Sequence, residues 1–193
     1  MDLVLRAAEF ASIAHQNQRR KDLERTPYIN HTIGVARILS SAGVTDPEVL
    51  AAALLHDTVE DTGVSPETLT EQFGTRVSGI VLEVTDDKRL DKVSRKKAQI
   101  QHVPYLSPEA RLVKMADKLY NCRDLKQNPP AHWSPEEVRG CMIWSYAVCR
   151  GLMGQNEALD AEFQQVFSEL QGVSDDALEA GLEEYYNLIC MSE

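Results

Sequence analysis

The sequence predicts an all-α, single-domain helical bundle of about nine helices, and three observations carry that prediction. Four short strings, Asp46-Pro47-Glu48, Ser65-Pro66-Glu67, Ser107-Pro108-Glu109 and Ser134-Pro135-Glu136, repeat one design. Each offers a side-chain oxygen to cap a helix, a proline whose missing N–H costs nothing at the first helical position, and a carboxylate where the helix dipole favours it. Between these marks the apolar residues recur at three and four, as in Leu112, Met115, Ala116 and Leu119, then Trp144, Val148 and Leu152. No alternating apolar and polar run of useful strand length interrupts them.

Taken in order, residues 2–18 form an amphipathic helix, and a strongly polar loop, RRKDLERTPYIN at 19–30, follows it. Asn30 is expected to cap a helix over 31–42. The first of the four strings opens a helix over 46–62, and the second opens one over 66–84 that breaks at Gly74. A charged connector, TDDKRLDKVS at 85–94, leads into a helix over 94–103. Helices over 107–127 and 134–153 start at the remaining strings, the latter with the capping-box spacing Ser134 to Glu137. Helices over 158–171 and 174–190 complete the bundle. Residues 1–173 are read as the functional domain. The acidic, amphipathic stretch 174–193 is read as a helical extension packed on that domain, covering the bundle or making a dimer contact.

Composition narrows the function. The chain has 193 residues, within the usual range of about 100–200 for one domain. No apolar run approaches the ~20 residues needed to span a bilayer, so membrane insertion is set aside. The N-terminus lacks a basic start, a continuous apolar segment and a small-residue cleavage site, so a cytoplasmic protein is expected. A net charge of −10 argues against broad nucleic-acid binding, which needs a basic surface to release counterions. Two local basic clusters, RRK at 19–21 and KVSRKK at 92–97, still suit a small phosphorylated ligand. Cys122, Cys141, Cys149 and Cys190 have no CxxC spacing, so neither a disulfide framework nor a zinc knuckle is indicated.

The string LLHDTVEDT at 54–62 places chemistry beside the core. If one helix runs through it, His56 and Glu60 are four apart, as are Asp57 and Asp61, and the four form one polar wedge about 100° wide. Three carboxylates left together repel one another, and a divalent cation would relieve them. His31 at a helix start and Asp117 on the stripe Lys114, Asp117, Asn121 fit as further donors. His31, His56, Asp57 and Asp117 would supply two nitrogens and two oxygens, suited to Mn²⁺, Fe²⁺ or Zn²⁺ and less to Ca²⁺. A solvated helix end at Glu60 and Asp61, and a surface ion pair of Asp117 with Lys118, remain alternatives on spacing alone.

The order His31, His56-Asp57, Asp117 resembles the HD superfamily of metal-dependent phosphohydrolases. More narrowly, RRKDLERTPYINHTIGVARIL, AALLHDTVEDT, EVTDDK and KMADKLYN resemble the hydrolase domain of RelA/SpoT proteins. The likeness is greatest to the stand-alone form found in metazoan SpoT homologues and bacterial small alarmone hydrolases. It is dense from about residue 2 to 153. The resemblance implies removal of the 3′-pyrophosphate from ppGpp or pppGpp, with Mn²⁺ the commonest metal and Zn²⁺ or Fe²⁺ compatible. It implies no alarmone synthetase in this chain. It implies metal ligation by His31, His56, Asp57 and Asp117, and activation of water by Glu60 and Asp61. Arg20 and Lys21 would lie against the base, Lys92, Arg95 and Lys96 against the pyrophosphates, and Asn121 against ribose or base. There are departures: Glu137 and Cys141 stand where animal members have an arginine and a tyrosine facing the nucleotide, and Arg139 and Tyr146 are out of register as substitutes. The 2′-phosphate of NADPH is an alternative substrate for the same site, and a nucleotide sensor without hydrolysis is a reading of another class. A monomer or a homodimer is compatible with all of these.

Overall fold

The computed structural model describes residues 1–190. The helices are α1 (Asp2–Ala14), α2 (Ile29–Ser41), α3 (Pro47–Leu55), α4 (Thr58–Thr62), α5 (Pro66–Val84), α6 (Lys92–His102), α7 (Pro108–Gln127), α8 (Pro135–Leu152), α9 (Glu157–Val166) and α10 (Asp175–Cys190). Short 3-10 turns follow α6 and α9, and no β-strand occurs among the described residues. No helix among them is long and apolar enough to cross a membrane. The final three residues of the stretch 174–193 lie outside the described residues.

The four predicted proline-containing starts all form. Asp46, Ser65, Ser107 and Ser134 each accept a backbone N–H of the first turn, and Ser134 with Glu137 closes the reciprocal capping box. Helix α5 breaks at Gly74, whose φ of 86° lies in the left-handed region. Two expectations need correction. Asn30 does not cap α2: the Pro27-Tyr28 turn already sets helical geometry, so the helix begins at Ile29 with Tyr28 at its cap position. The helix expected over 46–62 is two helices, α3 and α4, interrupted at His56-Asp57. At the break, His56 Nδ1 bonds the carbonyl of Ala53 at 2.8 Å and Thr58 Oγ1 donates to the carbonyl of Leu55 at 2.7 Å. Side chains therefore take up carbonyls of the last turn of α3, which ends the backbone ladder there.

The core is built around α3 and α7. In α3 the residues Val49, Ala51, Ala52, Ala53, Leu54 and Leu55 are all buried, enclosed by α1, α2, α5 and α7. Each fully buried valine or leucine contributes about 1.5–3 kcal/mol. Helix α7 packs on α2, α5 and α8, and α10 lies outside α8 and α6. The α2–α7 approach is close because Gly34 has no Cβ; one built there would collide with the Tyr120 ring. That closeness brings the first turn of α2 to the middle of α7.

Candidate metal centre and substrate pocket

His31 in the first turn of α2, His56 and Asp57 at the α3–α4 break, and Asp117 in mid-α7 converge on one point. His31 Nε2 lies 3.2 Å from His56 Nε2, 3.4 Å from Asp57 Oδ2 and 3.3 Å from Asp117 Oδ1. His56 Nε2 lies 3.1 Å from Asp57 Oδ2 and 3.6 Å from Asp117 Oδ1. Two donors each about 2.1 Å from a common ion, 90–110° apart, lie roughly 3.0–3.4 Å from each other. The observed edges match that spacing closely.

Hydrogen bonds from outer partners hold Asp57, Asp117 and His56 in place, whereas the buried Nδ1 of His31 has none. Tyr28 Oη donates to Asp57 Oδ2 at 2.6 Å. Asn121 Nδ2 donates to Asp117 Oδ1 at 2.6 Å, and Lys118 Nζ to Asp117 Oδ2 at 3.1 Å. The bond from His56 Nδ1 to the Ala53 carbonyl keeps a proton on that nitrogen and aims Nε2 at the cluster. The Tyr120 ring meets the buried His31 ring edge-on at 4.9 Å.

The electrostatics point the same way. Burial alone would neutralise His56, but the Asp57 carboxylate and the bond to Asp117 overcome it and push the imidazole up to about 10. Burial likewise opposes ionisation of Asp57 and Asp117, yet His56 beside the former and Lys118 beside the latter hold both carboxyls well below the usual range. Two ionised carboxylates and two imidazoles thus face one small space, and a divalent cation there would take the place of the proton that the carboxylates otherwise hold on His56. The residues fit such an ion, and nitrogen donors favour a transition metal over Ca²⁺ or Mg²⁺. The chain therefore carries a His/Asp site suited to a divalent metal: His31, His56 and Asp117 bring ligand atoms within 4.8 Å of one another, and Asp57 reaches both histidines.

The ion pair of Asp117 and Lys118 forms, at 3.1 Å, but it is buried and not at the surface. Lys114, Asp117 and Lys118 are only 7, 8 and 6 % exposed. Lys118 stays charged because Asp117 outweighs its desolvation, whereas burial lowers the pKa of Lys114, which donates to the Val84 carbonyl at 3.0 Å.

The helix break also divides the supposed polar wedge. His56 and Asp57 face the metal cluster. Glu60 lines the adjoining cavity of about 140 Å³, where its Oε2 accepts from the Asp86 backbone N–H at 2.9 Å. Burial raises its pKa above the ordinary glutamate value. Asp61 turns elsewhere: it accepts from Gln18 at 2.9 Å and Lys88 at 2.7 Å and lines a second cavity of about 460 Å³. Neither carboxylate is a free solvated helix end.

The second cavity also holds Arg20, Lys21 and Asn121. Arg20 is fixed there by two bonds to Asp124, at 3.1 and 2.6 Å, and one to Asn121 at 2.9 Å. Its guanidinium lies 5.8 Å from the ring centroids of both Tyr28 and Tyr120. Tyr28, Lys118 and Asn121 line both this cavity and the one beside the metal cluster, so the two adjoin. A third cavity of about 250 Å³ brings Lys92, Arg95 and Lys96 together with Lys21, Glu60 and Asp86. Glu60 and Asp86 are shared with the cavity beside the metal cluster, so all three form one connected site.

Several members were not legible as such. Tyr28 sits inside PYINH without revealing that it holds Asp57. Lys114 and Lys118 look like surface residues by type. His15 and Gln18 reach Asp61 through a 2.6 Å bond between them, from a turn that the sequence read as the end of α1. Of the proposed substitutes, Tyr146 stacks on Phe163 at 5.3 Å, and Arg139 lines a groove with Met142 and Phe167 that meets the second cavity at Leu125, Pro130 and Trp133. Neither residue lines any of the three cavities. Glu137 borders the third cavity and Cys141 the second.

Comparison with known proteins agrees with this geometry. Residues 7–142 match the HD domain family. The chain is 52% identical over 173 residues to the guanosine-3′,5′-bis(diphosphate) 3′-pyrophosphohydrolase MESH1 of Xenopus tropicalis, covering 89% of this chain and 96% of that one. It is 51% identical over 167 residues to the protein of the same name from Homo sapiens, covering 86% and 93%. A solved structure of a metazoan SpoT orthologue, described as hydrolysing ppGpp, superposes with a TM-score of 0.86 at 43% identity, over 89% of this chain and 97% of that one. With the HD signature seated at the four-donor cluster and full-length likeness on either side of it, the chain belongs to the HD-domain family, on the branch of the metazoan SpoT homologues.

Proposed function

We propose that this chain hydrolyses the 3′-pyrophosphate of guanosine 3′,5′-bis(diphosphate) or its pentaphosphate form, giving GDP or GTP and pyrophosphate, with Mn²⁺ as the working metal. The observation that carries the reading is the connected site: a four-donor cluster with 3.1–3.6 Å edges opens on Glu60, which also borders a pocket of four basic residues. His31, His56, Asp57 and Asp117 hold the metal, and their mixed nitrogen and oxygen donors suit Mn²⁺. When bound, that ion polarises a phosphoryl oxygen and lowers the pKa of water.

The remaining chemistry belongs to the chain. Glu60, kept basic enough by burial, takes the proton of the attacking water. The water oxygen bonds to the phosphorus next to the ribose, the bond from that phosphorus to O3′ breaks, and the proton that Glu60 accepted passes to O3′, which leaves as the ribose hydroxyl. Lys118, protonated and shared by the metal-side and nucleoside cavities, puts positive charge where O3′ becomes anionic. Lys92, Arg95 and Lys96 neutralise the pyrophosphate, Arg20 and Lys21 border the base, and Asn121 borders the ribose. Asp61, tied to Gln18 and Lys88, keeps the wall between water and nucleoside in place.

Turnover of ppGpp and NADPH on one metal-loaded preparation tests the substrate. The expected result is release of pyrophosphate from ppGpp at a kcat/KM well above that for phosphate release from NADPH. The reverse preference would make the NADPH 2′-phosphate the main substrate, and binding of ppGpp with no product from either would leave a sensor.

A further inference from the structure

The third cavity is walled partly by the C-terminal helix. Tyr185 and Ile189 of α10 line it together with Lys92, Arg95 and Lys96 of α6 and Glu60 of α4. Both α10 residues are buried, 3 and 2 % exposed, so this wall is packed and not a fringe. The packing is specific. Tyr185 sits on Gly140 of α8 so closely that any Cβ at 140 would collide with its ring.

Tyr185 also takes part in a stack of rings and cations. The Lys96 ammonium lies 3.4 Å from the Trp144 ring centroid and 5.2 Å from that of Tyr185. On the same Trp144 ring sits the Lys118 ammonium at 4.6 Å, and Lys118 bonds Asp117 of the metal cluster. The Trp144 indole N–H donates to the Lys96 carbonyl at 2.9 Å, tying α6 to α8 at the same level. A lysine held between two aromatic faces loses the freedom of its four-carbon stem, and its charge stays at one place in the cavity.

We propose that α10 is part of the substrate site, and that Tyr185 is a positioning residue that holds Lys96 for the pyrophosphate arm of the substrate. This rests on the reading of the third cavity as the pyrophosphate subsite. Because the arm is bound alike before and during reaction, loss of the ring raises KM and leaves kcat nearly unchanged.

The test is steady-state kinetics of the full chain with Mn²⁺ and ppGpp. Tyr185→Leu, which keeps apolar volume and removes the ring, is expected to raise KM about three- to tenfold. Tyr185→Phe, which keeps the ring over Lys96, restores KM to within about twofold of wild type. Lys96→Met raises KM more, and adding Tyr185→Leu to it changes KM no further, since both act through one charge. Should Tyr185→Leu fail to fold, Gly140→Ala displaces the same ring while keeping Tyr185, with the same KM rise expected. An unchanged KM in Tyr185→Leu, a fall in kcat alone, or full additivity with Lys96→Met would overturn the inference. Wild-type protein that leaves ppGpp intact would overturn the subsite reading itself, an outcome separate from these.

Discussion

The metal cluster and the basic cavity share Glu60, but they are made from opposite kinds of structure. His31, His56 and Asp117 are buried on or beside helices α2, α3 and α7; the Ala53 carbonyl fixes His56, Asn121 and Lys118 fix Asp117, and Tyr28 fixes the neighbouring Asp57. Lys92, Arg95 and Lys96 stand on α6, a helix with no buried residue. The first region can tolerate almost no displacement, since a ligand moved by an ångström is no longer a ligand. In the proposed reading the second attracts a polyanion through Lys92 and Arg95, whose charges water partly screens, and through Lys96, which is held against Trp144 and Tyr185. On that reading bond breaking is assigned to the packed region and substrate capture to the basic one.

The sharpest way to break that comparison is inside the packed region. Asp57→Ala should lose both metal and activity, a fall in kcat/KM on the order of 10³-fold or more. Glu60→Gln should keep stoichiometric metal and lose about 10²–10⁴-fold in kcat. Metal analysis beside kinetics checks both, and equal metal loss would contradict the division between ligand and base. Tyr28→Phe removes only the bond to Asp57 and should weaken metal affinity about 10–100-fold, read by competition with a chelating dye.

Glu60 also sets a pH dependence. Burial raises its pKa, and only its ionised form can accept a proton, so kcat falls about tenfold per pH unit below that raised value. The midpoint should lie above the ordinary ~4.3 of glutamate while metal content stays constant. A limb at or below the ordinary value would remove Glu60 from the base role.

Effects in the capture regions should be smaller and of another type. Arg20→Ala should raise KM about tenfold with kcat nearly intact, because its contact with the base is made equally before and during reaction. Smallest is the response to salt: raising ionic strength from roughly 0.05 to 0.5 M should increase KM by a few fold and leave metal affinity almost unchanged. A salt effect on metal content and none on KM would reverse the assignment of the two regions.

What the sequence made legible follows the same divide. The capped, proline-marked starts of α3, α5, α7 and α8 depend on neighbours in the chain, and all four formed where expected. That His31, His56, Asp57 and Asp117 would come together was readable because the candidate metal chemistry restricts residue type. The break at His56-Asp57 was not, since spacing of four looks the same whether or not the helix continues through it. Only the competition of His56 and Thr58 for α3 carbonyls decides it. Burial of Lys114 and Lys118 was hidden for a similar reason: lysine is rarely buried, and it is tolerable here because the Val84 carbonyl accepts from Lys114 and the buried carboxylate of Asp117 pairs Lys118. Tyr185 was further still from view, because its place depends on Gly140 some 45 residues earlier.

The central claim is that a metal held by the four-donor cluster works with Glu60 to remove pyrophosphate from ppGpp. The most direct measurement is release of pyrophosphate and GDP by metal-stripped protein before and after addition of Mn²⁺. The account predicts no release from stripped protein and stoichiometric pyrophosphate and GDP after Mn²⁺ is restored. Release at the same rate without metal, or intact ppGpp with one Mn²⁺ bound per chain, would contradict it.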